Sequence, residues 1–203
     1  MCTPTLRRIA PFCLLGLFAA CGQPVDDPAA QQPEEALENT PPGLIVFDEG
    51  APLPADFVIQ ALTASEQTTM LSTVNAKRTR GATCGTTAYS AAPALVTNAK
   101  LVQAAEGHAA DMAARNYFSH YTQGTNANPG QRITATGYKW STYGENIAAG
   151  QTSIAAAVDS WYKSAGHCAN FMNKNFTQAG FGKGYSASST YKNYWVAVMA
   201  KPL

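Results

Sequence analysis

The chain has 203 residues, a formal net charge of +1 and 13% charged residues. This length allows one domain of ordinary size with appended segments. The charge is unevenly divided: residues 22–62 carry eight acids and no Lys or Arg, whereas residues 63–203 carry twelve basic and five acidic residues, or 12 − 5 = +7. The basic residues are scattered, so there is no nucleic-acid-binding signature. The excess of basic residues favours an anionic partner such as an envelope polymer or lipid head groups. The alternative is that it only increases solubility.

The first twenty residues are predicted to be a targeting segment. Arg7 and Arg8 precede an apolar stretch, residues 9–20, that is too short to span a bilayer. It ends in Leu-Phe-Ala-Ala-Cys at residues 17–21, which resembles the lipobox of bacterial lipoproteins. The resemblance implies that residues 1–20 are a signal peptide and that Cys21 becomes the lipidated first residue. An ordinary secretory signal, cleaved at the same place to give a secreted protein, is the alternative.

Residues 21–62 have the composition of a tether. Seven of the twelve prolines and all eight acids of the N-terminal half fall in residues 22–62, and such a segment cannot bury enough apolar surface to fold alone. Two apolar islands, at residues 44–47 and 57–59, depart from this pattern, and the sequence leaves open whether they dock on the following domain. The residue after the predicted lipidated cysteine is Gly22 and not Asp, which by the lipoprotein resemblance implies the outer membrane in a Gram-negative cell.

Cysteine usage predicts one disulfide in the folded domain. Cys2 and Cys13 leave with the predicted signal peptide and Cys21 takes the lipid, so Cys84 and Cys168 remain. In an oxidising compartment outside the cytoplasm, two remaining cysteines favour a disulfide over the alternative of two buried free thiols. A bond between these residues closes a loop of about 84 residues and contributes roughly 4 kcal/mol to stability in the chain-entropy model.

The pattern of residues 63–203 predicts helices followed by strands. A capping box at residues 63–66 begins the first of four helices, which are expected at about residues 63–80, 98–116, 129–136 and 153–161. His108 lies on the apolar stripe of the second helix, which favours a core histidine over a ligand. Two strands are expected at about residues 178–185 and 191–200. The second is apolar on both faces and is therefore expected to be covered on both sides. These elements predict an α+β fold with a small antiparallel sheet between helical layers.

Several motifs in order resemble the bacterial branch of the CAP superfamily. This group takes its name from cysteine-rich secretory proteins, antigen 5 and pathogenesis-related 1 proteins, and its domain is also called the SCP domain. The resemblance spans roughly residues 63–203 and implies a three-layer α-β-α sandwich. The motifs are Ala-Ala-Asp-Met-Ala at 109–113, Asn-Tyr-Phe-Ser-His at 116–120, Gly-Glu-Asn-Ile-Ala at 144–148, Trp-Tyr-Lys-Ser-Ala-Gly-His-Cys-Ala-Asn at 161–170 and Tyr-Trp-Val at 194–196.

The resemblance also implies a surface cleft lined by His120, Glu145 and His167. The second glutamate that eukaryotic members carry falls at Ser164 in this chain, so the cleft would hold a triad. Cys84 and Cys168 match positions that some bacterial members use for a disulfide, and this bond would anchor the residue beside His167. Some members are known to bind divalent cations at this cleft, which implies a metal such as zinc.

Two imidazoles and one carboxylate are the ligand types of a catalytic zinc site with one open position. The three residues come from separate segments, unlike a local H-E-x-x-H motif, and the sequence places no nucleophile beside a base. We therefore favour a membrane-anchored binding module over an enzyme, with an envelope polymer, a lipid or a protein as ligand. A metal-dependent hydrolase of peptide or envelope substrates and a lipid- or sterol-binding protein are the alternatives.

The same residues also allow a structural interpretation. Glu145 would hydrogen-bond an imidazole, and Asn146 and Asn170 would cap neighbouring backbone. Arg132 would pair with a carboxylate or a helix end. These supporting roles are compatible with ligand binding at the same place.

Overall fold

The computed structural model of the chain describes residues 57–58 and 60–203. The predicted signal peptide, Cys21 and the apolar island at residues 44–47 lie outside this part of the chain. Within it, no helix has both the length and the apolar character needed to cross a membrane.

The described residues form five helices and seven strands, which confirms the α+β class. The helices are α1 (Ala64–Arg78), α2 (Ala99–Ala114), α3 (Pro129–Ala135), α4 (Ile154–Lys163) and α5 (Ala165–Met172). The strands are β1 (Phe57–Val58), β2 (Ala82–Cys84), β3 (Thr87–Tyr89), β4 (Val96–Thr97), β5 (Trp140–Ala149), β6 (Gln178–Ser186) and β7 (Asn193–Pro202). The main sheet has the order β1-β6-β7-β5 and is antiparallel, except that β4 joins β6 in parallel; β2 and β3 form a separate hairpin.

Side-chain caps fix the starts of the helices. The predicted capping box of α1 is present: the Thr63 hydroxyl accepts a hydrogen bond from the Glu66 N–H, and the Glu66 carboxylate accepts one from the Thr63 N–H. Asn98 caps α2 and Ser153 caps α4, at about the predicted starts of these helices. Helix α2 ends slightly before its predicted end, because Asn116 adopts a left-handed φ of 52°.

Strand β7 lies at the centre of the sandwich. Because side chains alternate along a strand, its apolar residues divide between two core clusters. One cluster also contains residues of α2 and α3, and the other contains residues of α1, α4 and α5. This confirms that the strand is covered on both faces and that the fold is a three-layer α-β-α sandwich. The residues of β7 are Tyr194, Val196, Val198 and Ala200 in the first cluster, and Trp195, Ala197 and Met199 in the second.

Three residues of β6, each two positions from the next, are glycines on the face that meets α2. We call these three residues the glycine stripe. A Cβ atom at any of them would overlap the helix backbone, so α2 lies directly on the strand. Two strand residues rise about 6.6 Å and four helix residues about 6 Å, so successive glycines meet successive turns. The distances from an ideal Cβ to the nearest α2 backbone atom are 2.1 Å at Gly180 (Leu101), 2.3 Å at Gly182 (Ala105) and 2.1 Å at Gly184 (Ala109).

The segment before α1 is joined to the same sheet. Strand β1, Phe57–Val58, pairs antiparallel with Tyr185–Ser186 of β6. Further along, Lys183 Nζ donates to Gln60 Oε1 at 3.1 Å, and Leu62 is buried in the core. Part of the second apolar island of the predicted tether therefore docks on the domain as an edge strand.

Two long-range connections hold α5 in place. Cys84 and Cys168 form the predicted disulfide, which joins β2 to the middle of α5. Arg78, at the end of α1, is fully buried and donates to backbone carbonyl oxygens, including those of Phe171 and Asn173 at the end of α5. The guanidinium thus donates to carbonyl oxygens at the end of α5 and joins α1 to α5.

Candidate functional site

Three secondary-structure elements and one loop carry the predicted site residues, and we call the group of His120, Arg132, Glu145 and His167 the histidine site. His120 lies in the loop after α2, Arg132 in α3, Glu145 in the middle of β5 and His167 in α5. Strand β5 is fixed by its ladder with β7, in which Glu145 is opposite Val198. The central sheet therefore carries the carboxylate.

Glu145 is a buried carboxylate whose two oxygens are both hydrogen-bonded. His120 Nδ1 lies 2.8 Å from Glu145 Oε1, and Arg132 Nη2 lies 2.8 Å from Oε2. The Glu145 side chain is only 2% exposed, whereas that of His120 is 43% exposed. Arg132 also donates to the His120 carbonyl oxygen at 3.0 Å and to the Ala127 carbonyl oxygen at 2.8 Å, which ties down the loop between them. The prediction that Arg132 pairs with a carboxylate is confirmed.

The ionisation of Glu145 sets the tautomer of His120. Burial acts to raise the pKa of Glu145, but the hydrogen bond from His120 and the nearby His108 and Arg132 outweigh it and hold the pKa below its ordinary value. An ionised carboxylate can only accept hydrogen bonds, so His120 Nδ1 carries the proton. In the neutral form of His120 the lone pair is then on Nε2.

Two asparagines hold the helix that carries His167 against β5. Asn146 is fully buried and donates through Nδ2 to the His167 carbonyl oxygen at 2.9 Å. Asn170 donates to Asn146 Oδ1 at 3.0 Å and to the Glu145 carbonyl oxygen at 3.2 Å. Both residues therefore support the site through backbone contacts, as predicted, whereas the Ser164 side chain makes no capping bond at the start of α5.

His167 lies close enough to His120 for the two rings to interact electrostatically. Burial lowers the pKa of His167, and the charge of His120 lowers it further. His167 is therefore neutral at pH 7, which is the form of imidazole that binds a metal. The His120 ring is thus held through Nδ1, whereas α5 is held at the backbone of His167.

Gly144 makes this close approach possible. A Cβ atom at Gly144 would lie 2.8 Å from Phe176 Cζ and 3.0 Å from Asn170 Oδ1. A larger residue would displace the side chains of Phe176 and Asn170, and Asn170 is one of the contacts between α5 and β5. The glycine that precedes Glu145 in the sequence is therefore a packing requirement of the site.

His108 supports the site from below without belonging to it. It is 1% exposed, and its Nε2 atom lies 2.9 Å from the carbonyl oxygen of Ser119, the residue before His120. Its Nδ1 atom has no hydrogen-bond partner among the described residues. The prediction of a core histidine is confirmed, and its contact with Ser119 adds a positioning role that the sequence did not reveal.

The described residues contain no group of three or more His, Cys, Asp and Glu side chains arranged to hold a metal ion. Glu145 is engaged by His120 and Arg132, so its geometry is that of a residue that orients a ligand and does not itself bind the metal. Among the described residues, the Nε2 atom of His120 and both ring nitrogens of His167 make no hydrogen bond. In the same part of the chain, neither His120 nor His167 is hydrogen-bonded to a Ser, Thr or Cys side chain.

Sequence reasoning missed two elements that build this site. Strand β5 and helix α5 were not predicted, although their motifs were singled out. It also missed the capping box of α3, in which Asn128 Oδ1 accepts from the Gln131 N–H at 3.0 Å and Gln131 Oε1 accepts from the Asn128 N–H at 2.9 Å. The signal was available, since Asn followed by Pro and then by Gln at the third position is a typical helix start.

The α-β-α fold and the ordered motifs define a CAP domain. The model of the CAP family, described as the cysteine-rich secretory protein family, matches residues 71–199, and the chain belongs to this family. The uncharacterized protein YkwD of Bacillus subtilis is 38% identical over 82 residues, which are 40% of this chain and 32% of YkwD. The uncharacterized membrane protein YlbC of the same organism is 34% identical over 80 residues, or 39% of this chain and 23% of YlbC. The similarity thus spans a third or less of each relative.

Solved structures agree with this assignment. An extracellular protein of Bacillus anthracis that contains an SCP domain aligns with a TM-score of 0.55 and 27% identity, over 68% of this chain and 40% of that protein. An outer surface protein of Borrelia burgdorferi aligns with a TM-score of 0.59 over 72% of this chain and 100% of that protein. At 15% identity, the second shows the shared fold alone. Both neighbours are extracellular or surface proteins.

Proposed function

We propose that this chain is an extracytoplasmic binding module whose ligand lies at the histidine site, and that the site binds a divalent cation such as zinc through His120 and His167. The observation that carries this proposal is the hydrogen bond from His120 Nδ1 to the buried Glu145. Metal-binding histidines typically donate their second ring N–H to a carboxylate, which fixes the tautomer and leaves the other nitrogen free for the metal. Arg132 in turn holds the carboxylate.

The cation would meet two neutral imidazoles and solvent. The lowered pKa of His167 keeps its ring unprotonated at neutral pH, so binding need not displace a proton from it. When bound, the metal would supply an open coordination position for an oxygen or nitrogen atom of a further ligand. The protein's part is to fix both rings and to keep Glu145 ionised.

The proposed location in the cell envelope rests on the N-terminal sequence and on one structural neighbour. The lipobox-like residues 17–21 suit a lipid anchor at Cys21, and the B. anthracis neighbour is described as extracellular. In a bacterial host, labelled palmitate should be incorporated into the wild-type chain and not into Cys21→Ser. Equal labelling of both chains would contradict anchoring at this residue.

Zinc titration of the protein tests the ligand site. Zinc should raise the melting temperature of the wild-type chain, because a ligand that binds only the folded state stabilises it. His120→Gln retains a donor towards Glu145 and His167→Gln retains a polar side chain, yet both remove the metal-binding nitrogen, so each should lose the zinc-dependent rise. Lys163→Gln, on the exposed face of α4, is the matched control and should respond as wild type does. A wild-type melting temperature that zinc leaves unchanged would contradict the proposal.

A further inference from the structure

A pocket lies beside the histidine site and contains none of its residues. It has a volume of about 470 Å³ and lies between α3 and the start of β5. Its lining includes the aromatic rings of Trp140 and Tyr143 and the amide side chains of Asn128 and Gln131. Tyr143 and Glu145 are two residues apart on β5, so their side chains leave the strand on the same face. Arg132, which holds Glu145, is the chain neighbour of Gln131. The pocket and the histidine site therefore adjoin.

The two rings of the pocket are held in fixed positions. Their centroids are 4.6 Å apart with an interplanar angle of 80°, an edge-to-face pair. Trp140 Nε1 donates to Thr134 Oγ1 at 3.1 Å. The Tyr143 ring lies against Gly130, where a Cβ atom would be 2.6 Å from the ring. Both aromatic side chains are half-buried, so they present fixed apolar surface to the pocket.

The pocket also contains polar groups with unused hydrogen-bonding capacity. The oxygen atoms of Asn128 and Gln131 are occupied in the capping box, which leaves both NH₂ groups as donors without a partner among the described residues. The Tyr143 hydroxyl has no hydrogen-bond partner there either. None of the lining residues, all within the described part of the chain, is charged.

We propose that this pocket binds a neutral pyranose unit of a polysaccharide. The apolar C–H face of a pyranose packs against aromatic rings, while its hydroxyl or acetamido oxygens accept hydrogen bonds from side-chain amides. The absence of a lining cation or anion favours a neutral sugar over a phosphorylated or acidic one. A few polar groups in fixed positions on an aromatic wall are the usual composition of a small-molecule site. The site needs no metal, so it stands apart from the zinc proposal.

Tryptophan fluorescence gives a direct readout of this pocket. Trp161 and Trp195 are 1% and 2% exposed, so Trp140 is the tryptophan that a bound sugar can reach. The full chain is titrated in the presence of EDTA with tetrasaccharides of N-acetylglucosamine and of glucose, both of which present neutral pyranose rings. At least one should change the fluorescence saturably, and Trp140→Phe should abolish that change. Because EDTA removes metal, a failure of this test is distinct from a failure of zinc binding.

A matched set of variants separates recognition from folding. Asn128→Asp with Gln131→Glu keeps both capping acceptors and removes both NH₂ donors, so the melting temperature should not fall. Two lost donors should weaken binding about tenfold or more. Tyr143→Phe removes only the hydroxyl and should cause a smaller loss. Gln103→Glu, an exposed amide of α2 outside the pocket, is the control for the added charge and should bind as wild type does.

Two outcomes would overturn the proposal. The first is that neither tetrasaccharide binds the wild-type chain. The second is that the Asn128→Asp, Gln131→Glu variant binds as tightly as wild type, or binds weakly only in proportion to a fall in its melting temperature. Loss of binding at an unchanged melting temperature supports the pocket as the sugar site.

Discussion

Glu145 combines two properties that rarely coincide, since it is almost wholly buried and yet ionised. Taking a carboxylate out of water costs several kcal/mol, and here His120 and Arg132 each satisfy one of its oxygens. The Arg132 side chain is itself only 13% exposed. Arg132 and Glu145 thus form a buried ion pair. Its main effect is to hold His120 in one orientation, and its contribution to stability is secondary.

Replacing Glu145 by Gln should damage both stability and ligand binding. Gln can still accept from His120, but its NH₂ group would face Arg132 and leave a buried guanidinium without its anion. We expect the free energy of unfolding to fall by about 3 kcal/mol, measured by urea denaturation. Zinc affinity should fall about 10- to 100-fold because the His120 ring loses its charged acceptor.

The control for this substitution is Glu66→Gln in the exposed capping box of α1. Gln also serves at this position of a capping box, so the cost should be within about 0.5 kcal/mol. If both variants lose the same small amount, Glu145 is not the buried anion partner described above.

At the scale of elements, the contact between α2 and β6 depends on main chain meeting main chain. The glycine stripe has no side chains that could yield to a larger residue. At Gly182, an added Cβ would be 2.3 Å from the Ala105 backbone and 2.4 Å from that of Glu106. The helix would have to move away from the sheet, and α2 leads directly to His120.

Gly182→Ala should therefore lower the free energy of unfolding by about 3 kcal/mol, at the upper end of the cost of overpacking. Gly107→Ala offers an opposite control within α2, because nothing lies within 4 Å of a Cβ at that position. Alanine is the better helix former, so this change should raise the stability by about 0.5–1 kcal/mol. Denaturation of both variants gives the comparison, and an equal response of the two would refute the tight contact.

The elements that could be predicted are those whose signals are local. Thr63 and Ser153 cap helices through neighbouring residues, and the apolar run of β7 reveals its burial directly. Strand β5 was missed because Gly144 and Asn146 disfavour strands, and partners elsewhere in the chain hold it in the sheet. Helix α5 was missed because it is only 8 residues long and follows α4 with Ser164 as the single residue between them. Residues of the site were found by their motifs, whereas the pairing of Arg132 with Glu145 needed the fold.

At the scale of the whole molecule, His108 links stability to pH. Burial lowers its pKa to about 4, with Glu145 and Asp111 acting to raise it and Arg132 to lower it. In the unfolded chain the same group titrates near its ordinary value of 6.5. Between these values the unfolded chain binds a proton that the folded chain does not, so the free energy of unfolding falls as the pH falls from about 6.5 to about 4.

The loss across this window should be roughly 3 kcal/mol for His108 alone. Urea denaturation at pH 7 and pH 4 should show a smaller pH-dependent loss in His108→Gln than in wild type, by about that amount. Glu145 also loses its stabilising effect as the pH falls through its own lowered pKa, and because His108 contributes to that lowering, the two groups share part of the expected difference. An unchanged pH dependence in His108→Gln would show that another group is responsible.

The glycine stripe also bears on how substitutions accumulate in this chain. A contact made by two main chains offers no pair of side chains that could change together, so a mutation at Gly180, Gly182 or Gly184 has no compensating mutation in α2. On the helix side the contact is made by backbone atoms of Leu101, Ala105 and Ala109, whose side chains are themselves buried in the core. The spaced glycines of β6 are therefore required by the close approach of a helix. In a nucleotide-binding loop, spaced glycines allow the close approach of a phosphate instead.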